Sequence, residues 1–214
     1  MKYIKYSDQN WFAPWYVIES FQQSVRTKDI KGHKELWIAA MYAIARSSID
    51  GSEWWVQFNE NDPPDARVMK KINTDSVEII DVECFEISPF DNNETLVESV
   101  RRKVLKNGVH RQYGKDTVLA GFVRRTSTTH IAQVDLIKRL NPNCGSISLL
   151  IDESIGVTTR TWVQLFPEYQ KVIFDFKLSG KKSVQAPYLH LRRKGVLELI
   201  PDNETVQVEM FPIG

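Results

Sequence analysis

Three carboxylates, Asp65, Asp81 and Glu83, carry the chemistry that the chain suggests. Asp81 and Glu83 stand two apart in Val77-Glu78-Ile79-Ile80-Asp81-Val82-Glu83-Cys84-Phe85-Glu86-Ile87, an apolar run that reads as a strand. Side chains i and i+2 of a strand share a face. Two carboxylates on one face of a buried strand are costly to desolvate unless something compensates them. A hard divalent cation such as Mg²⁺ or Mn²⁺ takes carboxylate oxygens as ligands, and Asp65 is placed to close the set. Such an ion supports phosphodiester hydrolysis by activating a water and relieving charge on the phosphate and the leaving oxygen. A plainer alternative stands beside it. Pro-Asp is a common turn dipeptide, and Asp81 and Glu83 could face solvent on an edge strand with Ile80, Val82 and Cys84 inward. Glu78 and Glu86 put acids in both registers of the same run, which suits that alternative.

The elements that must position these residues follow from periodicity and punctuation. Residues 11–25 are aromatic-rich and predicted helical from Pro14, a residue suited to a first turn. Residues 34–47 form a predicted helix with Leu36, Ala40, Met41, Ala43 and Ile44 as its apolar stripe, closed by the Asp50-Gly51 turn. Strands are predicted over 53–58, 66–69 and 77–87, with a turn-rich loop at 59–64. The last of these has apolar residues on both faces, as a central strand does. Thr95 and Glu98 have the spacing of a capping box and open a helix to residue 105, with Val97, Val100 and Val104 inward. A strand over 117–123, a helix over 129–140 stopped by Asn141-Pro142, and a strand over 146–151 follow. Beyond residue 158 the chain reads as strands at 162–166, 171–178, 188–191, 196–200 and 205–211.

Pro64-Asp65 followed by Asp81-Val82-Glu83 resembles the motif of the PD-(D/E)XK nuclease superfamily, with Glu83 where the family's Lys stands. The element order over residues 30–125 is also similar to that family's core: helix, three strands, helix, strand. The resemblance implies an α/β (α+β) fold: a restriction-endonuclease-like core, with a mixed central sheet flanked by helices. It implies that Asp65 and Asp81 bind Mg²⁺ (or Mn²⁺), with the Val82 carbonyl an additional metal ligand. Glu83 would be a metal ligand or general base, as in enzymes of this fold that use Glu there. Glu35 is the nearest candidate for the family's further Glu on the first helix, and Glu53 the second. Lys70 or Lys71 would supply a displaced ammonium. The implied partner is DNA, and the implied assembly a homodimer, because two strands are cut by symmetric sites.

Composition bounds these expectations. The chain has 214 residues, 42% of them hydrophobic, enough to bury a core. Its predicted organisation is an N-terminal aromatic segment (1–30), an α/β core (31–152) and a β-rich C-terminal extension or subdomain (153–214). A net charge of +1 gives no general nucleic-acid signature. That balance, with Glu in place of Lys, favours the competing function: a non-catalytic binding or assembly module. Local basic runs exist at Arg101-Arg102-Lys103 with Lys106, at Arg124-Arg125, and at Arg192-Arg193-Lys194; each either contacts phosphates or is a solvated face. His33, His110, His130 and His190 have no metal-ligand spacing, and phosphate-cradling glycine loops are absent. Cys84 and Cys144 form no zinc pattern or disulfide framework, and two free thiols suit a reducing compartment. With no signal-peptide pattern and no apolar run of membrane-spanning length, the expectation is a soluble cytoplasmic protein with no membrane partner.

Overall fold

The computed structural model describes residues 10–24, 31–59, 63–72, 77–87, 95–106, 108–123, 131–151, 159–175, 188–191 and 197–199. A short strand β1 (Asn10–Phe12) and helix α1 (Pro14–Ser24) precede helix α2 (Lys31–Asp50). Strands β2 (Trp54–Phe58), β3 (Ala66–Lys71) and β4 (Val77–Ile87) follow, then helix α3 (Leu96–Val104). A two-residue ribbon, β5 (Leu105–Lys106) and β6 (Val109–His110), leads to β7 (Thr117–Val123), α4 (Ile131–Arg139) and β8 (Ser146–Ile151). The described chain ends in β9 (Thr159–Phe166), β10 (Gln170–Asp175), β11 (Tyr188–Leu191) and β12 (Leu197–Leu199).

All strands but β5 and β6 join one mixed sheet in the order β10-β9-β8-β7-β4-β3-β2-β1-β11-β12. The expected order of helix, three strands, helix, strand runs from α2 to β7 with the short β5–β6 ribbon inserted before β7, and the α/β class is as expected. β2, β3 and β4 form an antiparallel meander; β4 then pairs in parallel with β7, and β7 in parallel with β8. The parallel pairs are possible because α3 and α4 carry the crossovers. β7 and β8 are buried along their whole length, as strands covered on both faces must be.

Helix α2 covers one face. Leu36, Ile38, Ala39, Ala40, Met41, Tyr42, Ala43, Ile44 and Ala45 are all buried in it, and helices buried on most sides are apolar all round. They pack on Val82, Cys84, Val118, Ala120, Phe122 and Leu150. Helices α3 and α4 cover the other face, where Ile87, Leu96, Val100, Val104, Leu119, Val134, Ile137 and Leu149 meet. The alternation along β4 sorts its side chains: Val82 and Cys84 face α2, while Glu83, Phe85 and Ile87 face α3. α2 outruns its expected end by three residues and stops where Gly51 takes φ 68°, donating its N–H to the Ser47 carbonyl at 2.9 Å, a C-terminal geometry natural to glycine.

Three elements, β1, β5 and β6, carry no periodic signal and were not expected; each is too short to show one. The C-terminal strands extend the central sheet at both ends: β9 pairs with β8, and β11 pairs with β1. The expected boundary near residue 153 and the strand over 205–211 lie outside the described residues.

Candidate functional site

The site begins where β3 begins. Ala66 is opposite Val82 in the β3–β4 register, so the next residue back, Asp65, comes level with Glu83 just outside the ladder. Asn59 holds that turn: its Nδ2 donates to the Pro64 carbonyl at 2.7 Å, and its backbone N–H to the Asp65 carbonyl at 3.4 Å. The peptide bond before Pro64 is cis. Beyond Ala66 there is no β3 backbone left to pair with Cys84. The Cys84 N–H instead donates to Asp65 Oδ2 at 2.6 Å, and the Cys84 carbonyl accepts from Lys103 Nζ at 2.9 Å. Buried main-chain polar groups must find such partners.

Lys103 arrives from the other side. Thr95 caps α3: its side chain accepts from the Glu98 N–H, and the Glu98 carboxylate accepts from the Thr95 N–H. Lys103 lies in the last turn, whose carbonyl accepts from the Tyr113 hydroxyl at 3.0 Å. Its ammonium is 3.0 Å from Glu83 Oε2 and 3.9 Å from Asp65 Oδ2. The residues are enclosed: Asp65 is 8% exposed and Glu83 5%. Burial pulls the ammonium pKa down, yet the Glu83 charge and hydrogen bond, with the Asp65 charge, outweigh it and hold the pKa above the ordinary lysine value. Next to the cluster, burial and then the Asp65 carboxylate push the Cys84 thiol pKa well up, so Cys84 stays a protonated thiol and is no nucleophile.

Asp65 and Glu83 are thus brought together as expected, and the solvent-facing alternative for Glu83 is corrected: α3 covers it. Asp81 shares the face but not the cluster. It lies opposite Arg67 in the register, Arg67 Nε donates to Asp81 Oδ1 at 3.1 Å, and the carboxylate is 40% exposed. Asp81, expected as the first metal ligand, is paired with Arg67, and Glu83, two residues on and level with Asp65, is the acid that meets Lys103. The backbone oxygen that meets Lys103 is that of Cys84; the side chain of Val82, whose carbonyl was the expected additional ligand, packs in the core against α2. Glu35 lies on α2, across the sheet. Its carbonyl accepts from Cys84 Sγ at 3.3 Å, and its charge reaches the Cys84 thiol along with those of Asp65 and Glu83. Glu53 precedes β2 at the far end of β3. Lys70 is at that far end too, paired with Asp50 at 2.9 Å; Lys71 is its neighbour in β3. The ammonium at the site therefore comes from α3, not from β3.

The signal for Lys103 is in the sequence. Leu96, Ser99, Val100, Lys103 and Val104 follow the spacing i, i+3, i+4, i+7, i+8 of an inward stripe. All except Lys103 are buried. Among the basic clusters, Arg101, Arg102 and Lys106 are exposed; Arg124-Arg125 and Arg192-Arg193-Lys194 lie outside the described residues. His110 is exposed, His130 lies outside the described residues, and Cys84 and Cys144 are buried free thiols.

Among the described residues, no group of three or more His, Cys, Asp or Glu could hold a metal ion. A smaller set of oxygens remains. Asp65 Oδ2, Glu83 Oε2 and the Cys84 carbonyl converge on one point, and a cation, the Lys103 ammonium, stands there. Carboxylate and carbonyl oxygens are the donor type that hard cations take; in this structure the cation among them is the Lys103 ammonium. No helix among the described residues is long and apolar enough to cross a membrane. No family model, curated protein or solved structure matches the chain.

Proposed function

We propose that the chain is a metal-dependent phosphodiesterase acting on nucleic acid, most simply a DNA endonuclease, built on a PD-(D/E)XK-like site. The observation that carries this reading is the convergence of Asp65, Glu83 and the Cys84 carbonyl on the Lys103 ammonium. In this reading the motif is Pro64-Asp65 with Glu83 as the second acid, and Lys103 of α3 replaces the lysine that the family carries on the strand. Asp65, Glu83 and the Cys84 carbonyl would hold Mg²⁺ or Mn²⁺. When bound, the ion supplies charge relief and a more acidic water.

The chain's own groups do the rest. Asp65 is pinned by the Cys84 N–H, so its carboxylate is oriented before substrate arrives. Lys103, with its pKa held up by the two acids, remains cationic at neutral pH and would orient the attacking water or neutralise a phosphate oxygen. In the reaction a water oxygen bonds to phosphorus, one ester P–O bond breaks, and the leaving oxygen takes up a proton.

A second reading has its own observation. The same contacts close the sheet where β3 ends, because Asp65 and Lys103 satisfy the backbone of Cys84. A non-catalytic binding or assembly module needs no more than that. Cleavage of supercoiled plasmid and of single-stranded DNA with Mg²⁺ or Mn²⁺ separates the two. Nicking by the wild type that is lost in Glu83→Gln supports the hydrolytic reading. An absence of cleavage, with no metal-dependent rise in melting temperature, supports the module.

A further inference from the structure

Lys103 also lines a cleft on the outer side of the acid cluster. The cleft is about 230 Å³ and is bounded by Phe85, Ser99, Arg102, Lys103 and Arg111. Among the described residues its charged lining is all cationic, with no carboxylate side chain in its wall. Ser99 is 2% exposed, and its Oγ is buried with no hydrogen-bond partner among the described residues. Among the described residues Arg111 Nε is likewise buried with no partner; its Nη1 reaches the Tyr113 hydroxyl at a long 3.4 Å. Buried donors left unsatisfied carry a desolvation penalty, so a hydroxyl and a guanidinium with spare donors at one cleft indicate an acceptor-rich ligand. The backbone around them is fixed. Arg111 N–H donates to the Val104 carbonyl at 2.9 Å, and Tyr113 ties back to the end of α3.

We propose that this cleft is a phosphate subsite: it binds a phosphate of the nucleic-acid strand next to the one presented to Asp65 and Glu83. Arg111 and Arg102 supply guanidinium forks that match phosphate oxygens, Ser99 supplies a hydroxyl donor, and the Phe85 ring gives an apolar wall for the adjoining sugar or base. Lys103 is common to both places and so links phosphate capture to the acids. The identity of the ligand as nucleic acid rests on the hydrolytic reading above; the anion site itself does not.

The test is binding in EDTA, where no metal-dependent cleavage occurs. Anisotropy of a fluorescein-labelled oligothymidylate is followed for the wild type, Arg111→Gln, Arg111→Lys and Ser99→Ala, with inorganic phosphate as competitor. Loss of a charge-assisted contact to phosphate predicts binding about tenfold weaker in Arg111→Gln. Arg111→Lys should fall between, and inorganic phosphate should both compete and raise the wild-type melting temperature. Arg102→Gln, a change at an exposed position on α3, gives the same readout should Arg111→Gln fail to fold. Unchanged oligonucleotide affinity in the folded variants, or no effect of phosphate on the wild type, overturns the subsite. Phosphate stabilisation without oligonucleotide binding overturns its assignment to nucleic acid. Binding as expected with no cleavage under any metal overturns the hydrolytic reading and leaves the subsite standing.

Discussion

Lys103 and Glu83 meet at 3.0 Å between the last turn of α3 and the middle of β4, with their side chains 17% and 6% exposed. A lysine that reads as part of a basic surface run is therefore the counter-ion of the most buried acid of the motif. Surface pairs contribute little to stability, but an enclosed pair is costly to break because the remaining charge is stranded.

Glu83 and Asp81 should respond differently to loss of their charge. Glu83→Gln should lower metal-dependent cleavage by roughly a hundredfold or more, the usual scale for a group acting directly on a reacting water. Asp81→Asn removes only a half-exposed pair with Arg67 and should leave the rate within a few-fold and the stability within about 1 kcal/mol. Equal loss in both variants would return Asp81 to the site.

Removing the ammonium tests the cluster without an activity assay. Lys103→Met leaves Glu83 buried beside Asp65 and should lower unfolding stability by about 3 kcal/mol. The double variant Lys103→Met with Glu83→Gln should recover part of that loss, since only the Asp65 carboxylate of the two acids then keeps its charge. Mg²⁺ should raise the melting temperature of Lys103→Met more than that of the wild type, because the ion meets the acids without competition. A metal response no greater than in the wild type would count against Asp65 and Glu83 as ligands.

Alkaline pH should weaken the fold. Burial raises the Cys144 thiol from 9.0 to about 12 and the Tyr42 hydroxyl from 10.0 to about 12; the Cys84 and Lys103 pKa values are raised as well. A folded-state pKa above the unfolded one favours the protonated form in the fold. Its stabilisation is complete below the unfolded value and is lost as pH rises through the folded one. Urea unfolding should therefore show stability level up to about pH 9 and falling toward pH 12. Cys144→Ala should reduce the slope in that window; a slope unchanged in this variant would sink the assignment to Cys144.

Gly121 sets how closely Phe85 crosses β7. A Cβ there would lie 2.6 Å from Phe85 Cζ and 2.7 Å from Leu149 Cδ2. Gly121→Ala should destabilise by roughly 1–3 kcal/mol, the scale of overpacking. Combined with Phe85→Leu it should show less than the sum of the two single losses, because the colliding ring is smaller. Additive losses would show that the strain lies at Leu149 alone.

Much of the frame is legible in the sequence. β4, β7, β8 and β11 have the bounds expected of them, because runs such as Thr117-Val118-Leu119-Ala120-Gly121-Phe122-Val123 are apolar, bounded by turns and too short for helices. The α3 start was legible because a capping box is a local contact. β1, β5 and β6 were not, because strands of two or three residues are made by their partners. The Asp65 and Glu83 pair was legible as two acids of one motif, but its register was not. Whether Asp65 comes level with Asp81 or with Glu83 depends on how β3 slides against β4, and a shift of two residues changes the neighbour while keeping every side chain on its face.

Local composition and period thus determined the order of the longer elements, that Asp81 and Glu83 share one strand face, and the apolar stripe of α3. The tertiary structure alone decided which acid is buried and which cation meets it. The pairing Ala66↔Val82 brings Asp65 level with Glu83 and leaves Asp81 to Arg67, and the packing of α3 on β4 delivers Lys103 to the end of β3. Both are long-range placements, set by burying one sheet face under a helix, and the free energy of that burial is shared over residues far apart in the chain.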